Sequence, residues 1–181
     1  DLAFYNKGQQ MPSLIITNIN ASIDSVLLPV MSREQRDNIR VKDMTRRAIK
    51  TSTYIIAPMM VGLTAVAPTI INILFTEKWL SSVPFLRIFC IIYLFYPIQT
   101  ANLNAIKALG RSDLFLKLEI IKKSLGFGLL VSTMWYGVMA MAYSLLINCF
   151  LGQIINSWPN RKLLKYSYLE QLKDILPGIV L

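Results

Sequence analysis

Long apolar runs separated by short polar stretches are the main pattern of this chain. Five of them, at about 11–31, 54–75, 83–105, 117–136 and 138–157, are long enough for a helix to cross a bilayer, which takes about 20 residues. A sixth run begins at 175. The second run has no charged residue between Thr51 and Thr76, whereas a helix in a soluble core keeps a charged outer face. The pattern predicts an all-α integral membrane protein, with residues 1–181 forming one lobe of five complete transmembrane helices and the start of a sixth.

The composition supports this prediction and narrows the chemistry. Apolar residues make up 54% of the 181 residues and charged residues 16%, against about 45–50% and 25% in soluble domains. The chain has no histidine, and Cys90 and Cys149 are too few for a disulfide framework. We find no phosphate-binding loop, metal-ligand cluster or nucleophile elbow, so we expect no enzyme activity, cofactor or metal. Because the chain starts without Met and stops within an apolar run, we expect a fragment of a longer protein.

The basic residues alternate between the connecting stretches. Seven lie in 32–50, one in 76–82, five in 107–123, none around Gly137 and four in 159–174. Since Lys and Arg collect on the cytoplasmic side, the three basic stretches are predicted to be cytoplasmic and the first span to run inward. The net charge of +9 then indicates the orientation of the chain in the membrane rather than nucleic-acid binding. These loops also attract anionic lipid headgroups.

The first span carries a polar stripe. Its members recur at steps of three and four residues and are Asn6, Gln10, Ser13, Thr17, Asn20 and Asp24. Such a face should contact protein or a water-filled cavity rather than lipid. Two interpretations stay open: hydrogen bonds that only hold the bundle together, or a transport pathway. Asp24 favours the second, because an acid within a span is costly, and it could pair with a cation or carry a proton.

The third span carries a cation and a second polar face. Arg87 lies near the outer end of the span, where it either reaches the surface or binds an anion. The face consists of Tyr93, Tyr96, Thr100, Asn104 and Lys107, with Gln99 and Asn102 nearby. We expect the inner half of this span to line a cavity.

The fourth span begins with charged residues. Lys117, Lys122 and Lys123 either extend to the membrane surface or face an aqueous inner vestibule, and the vestibule is favoured because the alternative needs a long reach. Glu119 and Lys123 have the spacing of a favourable helical ion pair.

Prolines and small residues mark the second and fifth spans. Pro58, Gly62 and Pro68 predict a bend in the second span. In the fifth span, small and polar residues recur every fourth position, which favours close helix packing; they are Ala140, Ser144, Asn148, Gly152 and Asn156. A turn is predicted at Pro159 and Asn160, followed by an amphipathic interfacial helix at about 162–175.

Several short motifs resemble one membrane protein family. They are FYNK at 4–7, LPVMS at 28–32, LFTEKW at 74–79, PFLRI at 84–88 and AIKALGRS at 105–112. In this order and spacing, the chain resembles the bacterial polysaccharide, or O-antigen, repeat-unit flippases of the multidrug/oligosaccharidyl-lipid/polysaccharide exporter superfamily. Where the family often has Gly before the aromatic pair and Ala after its motif, this chain has Ala3 and Gly8.

The resemblance implies a function. It implies two pseudo-symmetric lobes, of which this chain is expected to be the C-terminal one. It also implies movement of an undecaprenyl-diphosphate-linked oligosaccharide across the bacterial inner membrane by alternating access, for lipopolysaccharide or other polysaccharide biosynthesis. The implied partners are the lipid-linked oligosaccharide, membrane lipids and polysaccharide assembly proteins, with no nucleic acid.

Candidate residues follow from the chemistry of that substrate. An anionic diphosphate would bind the cations Arg87, Lys107, Lys117, Lys122 and Lys123. The sugar would meet the hydroxyl, amide and aromatic groups of Thr17, Asn20, Tyr93 and Asn104. Asp24 is the candidate for coupling transport to protons or sodium.

Two other functions stay open. A drug/cation antiporter of the same superfamily would favour an acidic cavity, but Asp24 and Glu119 are outnumbered by basic residues. A membrane-embedded glycosyltransferase or polymerase would need large outer loops or an acidic cluster, whereas the outer loops here are only a few residues long.

Overall fold

A computed structural model describes residues 2–180, and all regular structure in this range is helical. Eight α-helices follow one another: Leu2–Arg33 (α1), Asn38–Ala65 (α2), Ala67–Phe75 (α3), Val83–Leu94 (α4), Tyr96–Ala108 (α5), Ser112–Thr133 (α6), Val138–Leu163 (α7) and Tyr168–Val180 (α8). Short 3₁₀ helices at Glu77–Ser82 and Met134–Tyr136 precede α4 and α7. The prediction of an all-α protein is confirmed.

Several of these helices are long and apolar enough to cross a bilayer. Within the described range they are Leu2–Arg33, Glu77–Ala108 and Val138–Leu163, and the pair α2 and α3 adds a fourth if it is one bent span. Helix α6 carries the charges predicted for the fourth span and falls outside this group. Five complete spans therefore stay a prediction.

The predicted bend of the second span lies between α2 and α3. The two helices meet at 71° around Val66, and Pro68 stands in the first turn of α3. Proline is tolerated there because the first turn of a helix leaves its backbone N–H groups unbonded. Pro58 lies inside α2 without ending it. The bend therefore follows from Pro68 rather than from Pro58.

Helices α4 and α5 form the centre of the bundle. They pack against α1, α2 and α7, while α6 packs mainly on α7 and α8 on α2. Helices α1 and α4 come very close at Gly8, where a Cβ would lie 2.7 Å from the Phe85 Cβ and 2.8 Å from the Leu86 nitrogen. Glycine at position 8 thus lets α1 and α4 approach each other more closely than a larger residue would allow.

The three basic stretches lie at one end of the bundle. Met31, Val41, Ala105 and Leu164 share one hydrophobic cluster, so the end of α1, the start of α2 and the ends of α5 and α7 meet there. Phe4, Phe85 and Val138 share another cluster, which brings the starts of α1, α4 and α7 together. The chain therefore runs up and down, as the charge alternation requires.

The end of the chain differs from the sequence prediction. The turn predicted at Pro159 and Asn160 does not form, because α7 continues to Leu163 and the Asn160 side chain donates to Asn102. Proline is tolerated within membrane helices where neighbouring groups satisfy the freed backbone. The chain leaves the helix instead around Lys165, whose φ is 51°.

The segment predicted as one interfacial helix at 162–175 is divided by this break. Its apolar residues pack on the protein: Leu164 and Ile175 are buried, and Leu172 lies against them. The run from 175 continues α8 to Val180, and Leu181 lies outside the described residues.

Candidate functional site

A cleft between α1, α4 and α5 brings together six of the ten candidate residues. We call it the α1 cleft, and its volume is about 440 Å³. The candidates that line it are Thr17, Asn20, Asp24, Tyr93, Asn104 and Lys107. Tyr96 and Thr100, from the same predicted polar face, line it too. The polar face of the first span and that of the third span therefore meet across one cavity.

A hydrogen bond joins the two faces. The Asn104 amide donates to the Asp24 carboxylate, between α5 and α1. Asn104 is buried, whereas Asp24 stays exposed in the cleft. The bond holds the carboxylate in place without shielding it from water or from a ligand.

Asn20 is the polar residue in the cleft that protein contacts explain least. It is buried, and neither its amide nitrogen nor its carbonyl oxygen has a hydrogen-bond partner in the protein. An unsatisfied buried amide costs about 1–3 kcal/mol. Its place on the cleft wall makes it available to a water or to a hydroxyl of a bound molecule.

Lys107 lies where the cleft reaches the basic end of the bundle. It occupies the last turn of α5, and its Nζ lies 4.5 Å from the centre of the Phe115 ring. This cation–π contact orients the ammonium group without neutralising its charge.

A second cleft lies between α4, α5, α6 and α7, and we call it the α6 cleft. Its volume is about 530 Å³, and its polar lining includes Lys122 and Lys123. Tyr93 and Tyr96 line both clefts, so the two cavities share an aromatic wall.

One ion pair in the α6 cleft differs from the predicted one. Glu119 pairs with Lys122, three residues away, rather than with Lys123. The Lys122 side chain is only 14% exposed, because it extends along the cleft wall rather than outward. Two of the three lysines expected at a vestibule thus line one cavity.

The outer half of the polar stripe lines a third cleft. Asn6, Gln10 and Ser13 lie there beside Trp79, around a volume of about 540 Å³. Lys7 also lines this cleft, and its Nζ lies 4.4 Å from the centre of the Phe75 ring. The stripe of α1 therefore follows cavities along much of its length.

Two candidate residues lie apart from these clefts. Arg87 is exposed and lines none of the clefts described above. Lys117 lines a separate groove between α6 and α7. Their sequence positions near span ends gave no indication of which way they face.

Sequence reasoning missed two residues of these clefts and misplaced a third. Gln9 donates to the Tyr93 hydroxyl at 3.2 Å, and it was missed because a helix face is wider than a single line of residues. Asn148, assigned to packing, lies against Gly126 and also lines the α6 cleft. Asn102 is fully buried in a network with Gln171 and lines neither the α1 nor the α6 cleft.

Comparison with known proteins identifies related sequences. The profile of a family described as "Polysaccharide biosynthesis protein" matches residues 1–84. The teichuronic acid biosynthesis protein TuaB of Bacillus subtilis is 26% identical over 113 residues, which cover 62% of this chain and 23% of that protein. The lipopolysaccharide biosynthesis protein WzxC of Escherichia coli is 26% identical over 172 residues, covering 95% and 33%.

A further relative extends the similarity over almost the whole chain. An uncharacterized membrane protein in the cps region of Klebsiella pneumoniae is 28% identical over 183 residues, covering 98% of this chain and 36% of that protein. No solved structure matches the chain. The chain spans about a quarter to a third of the length of these relatives. Together, the family profile over residues 1–84 and the relatives at 26–28% identity support the resemblance of this chain to the polysaccharide flippase family of membrane proteins.

Proposed function

We propose that the protein moves an undecaprenyl-diphosphate-linked oligosaccharide from the cytoplasmic to the outer leaflet of the bacterial inner membrane by alternating access. The observation that carries this proposal is the pair of clefts that share Tyr93 and Tyr96. Together these clefts offer hydroxyl, amide and aromatic groups beside lysines, the groups that a charged sugar lipid requires. The names of the relatives, which refer to teichuronic acid and lipopolysaccharide biosynthesis, support a polysaccharide precursor as substrate.

The lysines of the clefts are the proposed diphosphate ligands. Lys107 lines the α1 cleft, and Lys122 and Lys123 line the α6 cleft. In a cavity of low dielectric, a lysine–phosphate pair is much stronger than in water. Arg87 and Lys117 are left out of this path, because they lie outside both clefts.

The polar residues of the α1 cleft are the proposed sugar ligands. Thr17 supplies a hydroxyl, Asn20 an amide without a protein partner, and Tyr93 a ring that also borders the second cleft. Such groups bind many sugar hydroxyls without a fixed pattern. We therefore assign these residues to the oligosaccharide and the lysines to the diphosphate.

The orientation in the membrane follows from the charges. The stretches 32–50, 107–123 and 159–174 meet at one end of the bundle and carry 16 of the 19 basic residues. We place that end in the cytoplasm. Lys107 then lies near the leaflet in which the lipid-linked precursor is made, where the diphosphate would enter.

The decisive experiment replaces Lys107 in cells that depend on this protein. A strain without the protein should accumulate lipid-linked repeat units on the inner leaflet, and Lys107→Ala should reduce export at unchanged protein level. Loss of one charge-assisted contact, about 1.5–3 kcal/mol, corresponds to a reduction of about 10- to 150-fold.

Lys173→Ala is the matched control, because Lys173 is an exposed lysine at the same end and lies outside the clefts. Export should be normal in that variant. Normal surface polysaccharide in the strain without the protein would contradict the proposed function. Drug-dependent ion flux in proteoliposomes, without movement of the sugar lipid, would instead favour the antiporter.

A further inference from the structure

A groove between the start of α6 and the end of α7 has an apolar floor. Leu114, Leu118 and Ile121 of α6 face Trp158 and Leu163 of α7 across a volume of about 380 Å³. The α6 residues recur at steps of four and three, so they form one helix face. This floor can hold a hydrocarbon chain.

The rim of the groove is basic. Lys117 of α6 and Lys162 of α7 lie on either side of it, and Arg111 lies just before α6. No acidic residue is among those that line the groove within the described part of the chain. Arg111 is paired with Asp113 at 3.1 Å, so the two lysines supply most of the charge available to a ligand.

Trp158 connects the apolar floor to the basic rim. It is 66% exposed, and the Lys162 Nζ lies 5.9 Å from its ring centre. Tryptophan is enriched where the hydrocarbon region of a membrane meets the headgroups. Since α6 begins and α7 ends at the basic end of the bundle, the groove lies at that boundary.

We propose that this groove binds an anionic phospholipid, with an acyl chain along the apolar floor and the phosphate between Lys117 and Lys162. The match of charge and polarity selects this occupant. A zwitterionic lipid would gain little from the lysines, and basic pockets between membrane helices commonly bind anionic headgroups. The groove is separate from the α1 and α6 clefts, so the inference does not depend on the transported substrate.

Tryptophan quenching provides a direct test. The intact purified protein is placed in phosphatidylcholine bilayers that contain a small fraction of phosphatidylglycerol brominated on its acyl chains. The Trp158 signal is the difference between the unchanged protein and Trp158→Phe. We expect this signal to be quenched by brominated phosphatidylglycerol at a lipid fraction at which brominated phosphatidylcholine has little effect.

Lysine variants show whether the groove is responsible for the preference for phosphatidylglycerol. Each of Lys117→Gln and Lys162→Gln should weaken the apparent affinity for phosphatidylglycerol about fivefold, as expected for about 1 kcal/mol per basic residue near an anionic surface. Lys173→Gln, a lysine at the same end but outside the groove, should leave the affinity unchanged. Thermal unfolding of each variant shows that the fold is retained.

Three results would overturn the proposal. Equal quenching by the two brominated lipids would show that the groove does not select charge. Absence of quenching by either lipid would show that another part of the protein covers it. Displacement of brominated phosphatidylglycerol by undecaprenyl diphosphate at a much lower concentration than by unlabelled phosphatidylglycerol would assign the groove to the sugar lipid instead.

Discussion

Two buried asparagines of this bundle have different roles. Asn20 lies on the wall of the α1 cleft with no protein partner, whereas Asn102 is bonded to Asn160, Ser157 and Gln171. Burial of an amide is favourable only when its hydrogen bonds are made within the protein. Asn102 therefore stabilises the contact of α5 with α7 and α8, while Asn20 gains no such stabilisation from protein contacts.

Replacing these asparagines by leucine should have opposite effects. Asn20→Leu should leave the protein as stable as before or raise its free energy of unfolding by about 1–2 kcal/mol, because an unsatisfied amide is removed. If Asn20 binds sugar hydroxyls, export should fall although the protein is intact. The measurements are thermal unfolding in detergent and surface polysaccharide in cells.

Asn102→Leu is the matched comparison. It should lower the free energy of unfolding by about 1–3 kcal/mol, since Asn160 and Gln171 lose their partner. If Asn20→Leu instead destabilised the protein to the same extent and left export normal in the folded fraction, Asn20 would be a packing residue and the sugar assignment would be wrong.

At the scale of elements, the docking of α8 on α2 depends on one buried carboxylate. Asp174 is 6% exposed; it lies 3.0 Å from the Lys50 Nζ and accepts hydrogen bonds from Arg46 and the Tyr166 hydroxyl, at 2.7 and 2.9 Å. Burial alone would raise the pKa of Asp174, but these donors outweigh it, and the pKa lies below the ordinary value. The folded state therefore binds the proton less readily than the unfolded state.

The docking of α8 on α2 should weaken as the pH falls. A lowered pKa means that Asp174 stabilises the docked α8 above the ordinary pKa range of an aspartate, and that this contribution is lost as the pH falls through the folded-state pKa. We expect hydrogen exchange in α8 to accelerate at acid pH relative to α5. In Asp174→Asn, exchange should be fast already at neutral pH.

Solvent screening limits the stability that the ion pairs of Asp174 contribute. Arg46 and Lys50 are 41% and 48% exposed, so we expect a loss of about 1–3 kcal/mol rather than the value for a fully buried pair. Glu34→Gln, which removes an exposed ion pair with Arg40, serves as control and should change exchange in α8 little. Identical exchange in α8 for Asp174→Asn and the unchanged protein would refute this account.

The elements also show how far the sequence predicts the fold. Apolar runs and alternating charge predicted helices that run up and down, because these features depend on local composition. The break at Lys165 and the continuation of α7 through Pro159 were not predictable, since they depend on contacts such as that of Asn160 with Asn102. The polar faces predicted eight residues of the α1 cleft, but helical spacing alone could not show that Lys117 faces a different groove from Lys122.

At the scale of the whole molecule, the clefts converge on the central pair α4 and α5. Helix α1 borders the first cleft and α6 the second, and Tyr93 of α4 belongs to both. A relative movement of α1 or α6 against α4 and α5 would therefore change the exposure of one cleft. Among the described residues, α6 contributes to neither hydrophobic cluster at the bundle ends, whereas a movement of α1 has to rearrange its contacts in both. Alternating access needs such a movement. An ion that binds between α1 and α5 would shift the equilibrium between the two arrangements.

We propose Asp24 as that ion site, and Asp24→Asn tests the proposal. The substituted amide oxygen still accepts the hydrogen bond of Asn104, so the variant removes the charge and retains the geometry. In proteoliposomes, movement of the lipid-linked oligosaccharide by the intact protein should lose its dependence on a proton or sodium gradient, while a slower gradient-independent movement persists. Asp113→Asn, at an exposed acid paired with Arg111 and outside the clefts, should retain the dependence. Full gradient dependence in Asp24→Asn would show that the carboxylate only joins α1 to α5, and coupling would then have to reside elsewhere in the protein.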